Sequence, residues 1–146
     1  FNIYGENYTW VEEFSQAIPM LIKKIMDNNK EITVWGSGDQ RRSYIHAQDC
    51  AKIMIELAKI KFCDGPLNIG TSETIDIKSL VHLICEASNN YPNIIFDSEK
   101  PEGRRIKSSD VLKFNSTLPD FQYEISLEDG IRRMLQWYRL TFNSNN

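Results

Sequence analysis

Residues 32–60, ITVWGSGDQRRSYIHAQDCAKIMIELAKI, decide the fold class. ITVW (32–35) has the β-branched and aromatic content of a short strand, GSGD (36–39) that of a turn, and SYIH (43–46) that of a second strand. AQDCAKIMIELAKI (47–60) is the clearest helix in the chain. Ala51, Met54, Ile55 and Ala58 fall on one face at helical spacing. Asp49 near its N-terminus and Lys59 near its C-terminus complement the helix dipole.

Working outward, EEFSQAIPMLIKKIMDNN (12–29) carries Phe14, Ile18, Leu21, Ile22 and Ile25 at helical spacing. Pro19 fits a first turn, so the regular helix is expected from about Ser15–Ile18 to Asp27, with Asn28-Asn29 as the stop. Downstream, PLNIG (66–70) reads as a short strand ending in glycine and buried on both faces of a parallel sheet. A helix over 76–88 turns Ile77, Leu80, Val81 and Ile84 inward, and NIIF (93–96) is a strand. The segments at 66 and 93 are expected to form a right-handed βαβ crossover. A polar, basic loop, DSEKPEGRRIKSSD (97–110), then leads to a short helix at 109–115 and a link containing LPDF (118–121). The last helix is SLEDGIRRMLQWYRLTF (126–142), started by a capping box of Ser126 and Asp129. The expected class is α/β, with short strands alternating with helices.

The 146 residues have 41% hydrophobic and 25% charged content, enough for one compact domain with a core. With 17 basic and 20 acidic side chains and a net charge of −3, the chain is not expected to bind nucleic acid. No apolar run approaches the ~18–20 residues of a membrane span, so no membrane partner is expected. The opening FNIYGENYTW has neither a basic n-region nor an apolar h-region, lacks an initiator Met and reads as the end of a strand. A piece of a longer protein is expected. Cys50, Cys63 and Cys85 sit among apolar neighbours with no CxxC pair, the pattern of buried thiols in a reducing compartment. With only His46 and His82, no metal site is expected.

No nucleophile elbow, P-loop, HExxH or GxGxxG fingerprint is present. GSGDQR (36–41) joins two strands rather than a strand and a helix, which argues against a phosphate cradle there. Two basic clusters are more informative: Arg41-Arg42, and Arg104, Arg105 and Lys107. Either they form a solvated charged face, or they converge as an anion site, since Arg forks match phosphate oxygens. Tyr4, Tyr8, Trp10, Trp35, Trp137 and Tyr138 read as core and rim packing. Gln16 opens an apolar helix either as a helix-start hydrogen bond or as a substrate contact.

In order and spacing these segments resemble the extended short-chain dehydrogenase/reductases, specifically the NAD(P)-dependent nucleotide-sugar epimerases, dehydratases and reductases. VWGSGDQRRSYIHAQDCAKIM (34–54) is similar to that family's G-x-G-x-x-x-R-[DS]-[FY]-[IL]-H-V-x-D block. FNIYG (1–5) looks like its segment leaving the sixth Rossmann strand, and AIPMLIKKI (17–25) like the helix that follows. FDSEKPEGRRIKSSDVLK and ISLEDGIRRMLQWY look like its final substrate loop and closing helix. KPEGRRIKSSD and TLPDF look closest to the GDP-sugar branch, that of GDP-fucose synthase and GDP-mannose 3,5-epimerase.

The resemblance implies that residues 1–146 are the C-terminal, substrate-binding portion of such an enzyme, with the NAD(P)-binding Rossmann part absent from this chain. It implies a cytoplasmic protein, NAD or NADP as cofactor, a nucleotide-diphosphate sugar as ligand and a homodimer when full length. Arg42 then matches the arginine that grips the diphosphate, and Lys107, with Arg105 as an alternative, a basic residue of the nucleotide-binding loop. Asn2 matches an asparagine near the sugar and diphosphate, and Phe1 a residue beside the nicotinamide. Gln16 stands where fucose synthases carry a catalytic His. An amide has no useful acid/base pKa, so a hydrogen bond to substrate is expected there instead. The chain has no Tyr-x-x-x-Lys pair. No catalytic residue is therefore assigned in it, and turnover by residues 1–146 alone is not expected. Apolar surface is expected where helix 47–60 and PLNIG would pack against the Rossmann part. The alternative is a non-catalytic nucleotide-sugar-binding or regulatory protein that retains the fold; a plain structural domain is a third reading.

Overall fold

The computed structural model describes residues 2–8, 10, 16–28, 30–61, 64–101 and 103–143. Strands β1 (Asn2–Tyr4), β2 (Glu31–Trp35), β3 (Arg41–Arg42) and β4 (Tyr44–His46) come from its first third, together with helix α1 (Ala17–Asp27). Then follow α2 (Ala47–Lys59), β5 (Ile75–Asp76), α3 (Ile77–Ser88), β6 (Asn93–Asp97), β7 (Ile106–Lys107), α4 (Leu112–Thr117) and α5 (Leu127–Asn143). The class is α/β. No helix among the described residues is long and apolar enough to cross a membrane.

The described strands form three small sheets. β2 pairs in parallel with β6 from Glu31↔Asn93 to Trp35↔Asp97, and β1 pairs in parallel with β4. β3 is the centre of a mixed sheet, antiparallel to β5 and parallel to β7.

Helices α1, α3 and α5 close over the β2–β6 ladder. Ile18, Leu21, Ile22 and Ile25 of α1 meet Ile77, Leu80, Val81 and Ile84 of α3, and both meet Ile131, Met134 and Leu135 of α5. In α1 and α3 these are the residues read from the helical period, Phe14 alone lying outside the described residues. Burying each such side chain is worth about 1.5–3 kcal/mol before chain entropy is counted. A second cluster gathers Ile45, Cys50 and Ile53 with Val111 and Phe114. Burial pushes the Cys50 and Cys85 thiols up, which makes both poor nucleophiles. Cys63 lies outside the described residues.

Three expectations change. PLNIG (66–70) pairs with no described strand, and Leu67 and Ile69 are only half-buried, against the second cluster. The parallel partner of β6 is therefore β2, and the 66-to-93 crossover does not form. The short helix starts at Leu112 rather than 109, because the Asp110 side chain accepts the Leu112 N–H at 3.1 Å just before it. On α2, Met54 and Ile55 are 59% and 55% exposed, while Asp49, Cys50 and Ile53 face inward. The apolar stripe read from the sequence exists and faces outward, in line with the apolar surface expected on this helix.

Two glycines are fixed by what surrounds them. Gly38 has φ +83, and a Cβ there would come within 2.6 Å of the Phe96 ring and 2.7 Å of Lys78. The turn between β2 and β3 is thereby pressed onto β6 and the first turn of α3, where Lys78 N–H donates to the Gly38 carbonyl at 3.0 Å. Gly130 sits in α5 directly over Tyr4; a Cβ would come within 2.7 Å of two ring carbons and closer to the hydroxyl. Ser126 caps this helix, accepting Asp129 N–H at 3.0 Å and donating to its carboxylate at 2.7 Å. Replacing Gly130 by Ala would gain about 1 kcal/mol of helix propensity on an open helix face. Over Tyr4 the clash outweighs it, and Gly130→Ala is expected to lower Tm by several degrees in thermal denaturation. An unchanged or raised Tm would show that α5 does not press on that ring.

Candidate functional site

β3 is two residues long and has a strand on each side. Residues paired directly across a sheet share a face, so the register fixes two opposite sets. Arg41 lies beside Asp76 and Ile106 on one face, and Arg42 lies beside Ile75 and Lys107 on the other.

The Arg41 face is tightly bonded. Its Nε donates to Thr74 Oγ1 at 3.0 Å, its Nη2 to the Thr74 carbonyl at 2.6 Å and its Nη1 to Asp76 Oδ2 at 3.3 Å. Asp76 also caps α3, accepting Ser79 N–H at 2.8 Å and Ser79 O–H at 3.0 Å. The Ser79 N–H first, then its hydroxyl and the Arg41 charge, hold the Asp76 carboxyl below the usual carboxylate range against a smaller desolvation effect.

Along the other edge of β3 the basic loop closes. Arg41 N–H donates to the Arg105 carbonyl at 2.7 Å and Ser43 N–H to that of Lys107 at 3.2 Å. Arg42 Nη1 donates to its neighbour Arg41 and to the Arg104 carbonyl, each at 2.8 Å. Gly103, at φ +70, turns the loop so that a Cβ would lie 3.6 Å from Arg42 Nη2. Arg42 and Lys107, 65 positions apart in sequence, thus become cross-strand neighbours, about 4.8 Å apart along the hydrogen-bonding direction. The side chains of Arg105 and Lys107 are exposed and that of Arg42 is half-buried.

Asn2 joins this group from the next ladder. It pairs with Tyr44, and its Nδ2 donates at 2.8 Å to the carbonyl of Ser43, the residue after Arg42. Gln16 stands apart at the N-cap of α1. It is exposed, its backbone N–H donates to the Tyr8 hydroxyl at 3.1 Å, and its side chain makes no capping bond. Phe1 lies outside the described residues.

Beside Arg42 opens a cavity of about 610 Å³, bordered by Tyr4, Tyr44, His46, Asp49 and Tyr123 among others. The sequence reading passed over most of these as site residues. Arg42, Tyr44 and His46 are alternate positions of one extended run, and that period of two was the available signal. Asp49 is 1% exposed and accepts the backbone N–H of Glu124 and of Ile125, both at 3.1 Å. It therefore ties α2 to the chain entering α5. Burial pushes the Tyr44 hydroxyl up to about 12, with Arg42 opposing, and burial raises Tyr4 further. Near neutral pH these tyrosines are hydrogen-bonding phenols rather than bases. The Tyr44 hydroxyl is buried with no hydrogen-bond partner among the described residues. His46 caps α2 with Nδ1 as acceptor for Gln48 N–H at 3.3 Å. That places its ring proton on Nε2, 3.0 Å from Glu6 Oε2 without the alignment of a hydrogen bond.

Asp76 gives a pH signature of known sign. Its folded pKa is depressed, so its contribution is fully present above the unfolded value of about 3.9 and is lost as pH falls through the lower folded value. Asp76→Ala is expected to cost about 1–2 kcal/mol at neutral pH by removing the cap of α3. Denaturant titrations of both proteins should converge as the pH is taken below that range; a constant difference would mean that the charged form is not what stabilises.

The NAD dependent epimerase/dehydratase family model matches residues 1–70. GDP-L-fucose synthase of Dictyostelium discoideum is 30% identical over 94% of this chain, which covers 44% of that protein. GDP-L-fucose synthase of Escherichia coli is 29% identical, with 94% of this chain and 46% of the relative covered. Among solved structures, a GDP-L-fucose synthetase from Naegleria fowleri bound to NADP superposes with a TM-score of 0.87 at 25% identity, over 98% of this chain and 46% of that one. The chain spans less than half the length of these two curated relatives. Its similarity to them runs along almost all of its own length, and the family model matches its residues 1–70.

Proposed function

We propose that residues 1–146 are the C-terminal, substrate-binding portion of a longer NAD(P)-dependent nucleotide-sugar epimerase, dehydratase or reductase, and that they bind and orient a GDP-sugar. The observation that carries this reading is the β3–β7 pairing, which sets Arg42 beside Lys107 at the edge of a cavity. Arg42 and Lys107, with Arg105, hold the diphosphate: the guanidinium offers a planar fork and the lysine a point charge. Asn2 keeps the strand after Arg42 in place and faces the sugar side, and Gln16 donates to or accepts from a sugar hydroxyl. By the resemblance, Phe1 is assigned to contact with the nicotinamide. Clamping the diphosphate contributes affinity and fixes the sugar's orientation, which is where positioning lowers a barrier.

The described residues do not make a dinucleotide cradle. Gly36 and Gly38 join β2 to β3 instead of opening a helix, so no phosphate faces a helix N-terminus there. The nicotinamide dinucleotide, which supplies reversible hydride transfer at a sugar carbon, is assigned to the length of the relatives that this chain does not span. The outward stripe of Met54 and Ile55, continued by Ile60 at 52% exposure, supports a packing partner of that kind for α2.

In the whole protein, Arg42→Ala is expected to weaken GDP-sugar binding by about 2 kcal/mol, roughly thirtyfold in Kd by calorimetry. Because Arg42 also holds the Arg104 carbonyl, the exposed Lys107→Ala serves as the companion variant. A Kd unchanged in both would end the diphosphate-clamp assignment. Denaturing mass spectrometry of the protein from its source is expected to find a chain near twice 17.0 kDa together with NAD(H) or NADP(H). A 17.0 kDa chain without dinucleotide would favour a non-catalytic nucleotide-sugar-binding protein instead.

A further inference from the structure

We infer that Arg41 is a positioning residue that sets the direction of Arg42 for a nucleoside diphosphate, through the Arg41–Thr74–Asp76 cluster, and that it is not itself an anion ligand. The inference rests on the diphosphate reading above. In the sequence the two arginines are equivalent members of one basic pair; the sheet separates them onto opposite faces.

The ladders that hold β3 are only two residues long on each side. Pairing that short resists twisting weakly, and any rotation of β3 about its axis swings both arginines at once. What opposes rotation is the three-pronged grip of Arg41 on Thr74 Oγ1, the Thr74 carbonyl and Asp76. Asp76 is fixed in turn by its two bonds to Ser79 in the first turn of α3. The buried face of α3 packs into the main core. Arg41 thereby connects β3 to a rigid helix, and Arg42, the next residue, inherits the fixed orientation. Lysine at 41 keeps the charge but has no planar fork, so it cannot hold all three acceptors together.

The test uses the whole protein, with GDP and guanosine as probes, and compares Arg41→Lys, Arg42→Ala and the double variant Arg41→Lys/Arg42→Ala. Arg41→Lys is expected to weaken GDP binding about three- to tenfold and to leave guanosine binding unchanged, since only the diphosphate contact is misdirected. The double variant is expected to bind GDP no worse than Arg42→Ala alone, because Arg41 acts only through its neighbour. Charge is conserved in Arg41→Lys, so a lost long-range field does not account for the effect. Unchanged GDP affinity in Arg41→Lys, an equal loss for guanosine, or additive losses in the double variant would each overturn the inference. If Arg42→Ala itself leaves GDP binding intact, the diphosphate reading fails, and the inference with it. That pattern differs from one in which Arg42→Ala weakens binding and Arg41→Lys does not.

Discussion

Backbone hydrogen bonding along two residues, Arg41 and Arg42, joins β5 on one side and β7 on the other. Each strand there is too short to persist alone, so the arrangement depends on side chains that reinforce it. Arg41 ties the β5 side, Arg42 ties the loop at Arg104, and Asn2 secures the next carbonyl along the chain. The bonds serve a second purpose, because buried backbone groups left unpaired would cost about 1–3 kcal/mol each. The basic side chains are gathered as a consequence of pairing the backbone of an otherwise irregular loop.

Asp49 plays the corresponding part on the other side of the cavity. A nearly fully buried carboxylate is costly unless its oxygens are occupied, and here each oxygen takes one backbone N–H from residues 124 and 125. The charge is satisfied by the chain that leads into α5. That helix in turn presses Gly130 onto Tyr4 and places Met134 and Leu135 in the main core. The two hydrophobic clusters are therefore linked through polar contacts.

Helices α1, α3 and α5 were legible in the sequence because each carries several turns of regular apolar spacing. The long strands β2 and β6 were legible from β-branched runs. β3, β5 and β7 were not, since two residues have no period to read and their pairing is decided wholly by tertiary context. PLNIG misled for a related reason: a short apolar run suits a buried strand or an irregular segment leaning on a core equally well. The exposed stripe of α2 was expected, but its inward face was hidden by its composition. Its inward face holds Asp49, whose burial makes sense only once its two distant backbone donors are known, while its most regular apolar stripe faces outward. The convergence of the two basic clusters was readable as a possibility from residue type, but their neighbourhood depends on the β3–β7 register.

The β2–β6 ladder has a bearing on how such a chain comes to be folded. Its partners lie about 60 residues apart and are parallel, so the strand at 31–35 has no mate until residues 93–97 have been synthesised and brought back. Contacts this distant in sequence slow folding, because loop-closure entropy is spent before the contact rewards it. At ribosomal rates of about 5–20 residues per second, the alternately buried edge of β2 stays open for several seconds. The five residues Glu31–Trp35, with a charge at one end, the next glycine one step beyond the other and Lys30 before them, are a short and interrupted target during that interval. The order of the elements along the chain thus sets a period of vulnerability, and the brevity of β2 limits what can happen within it.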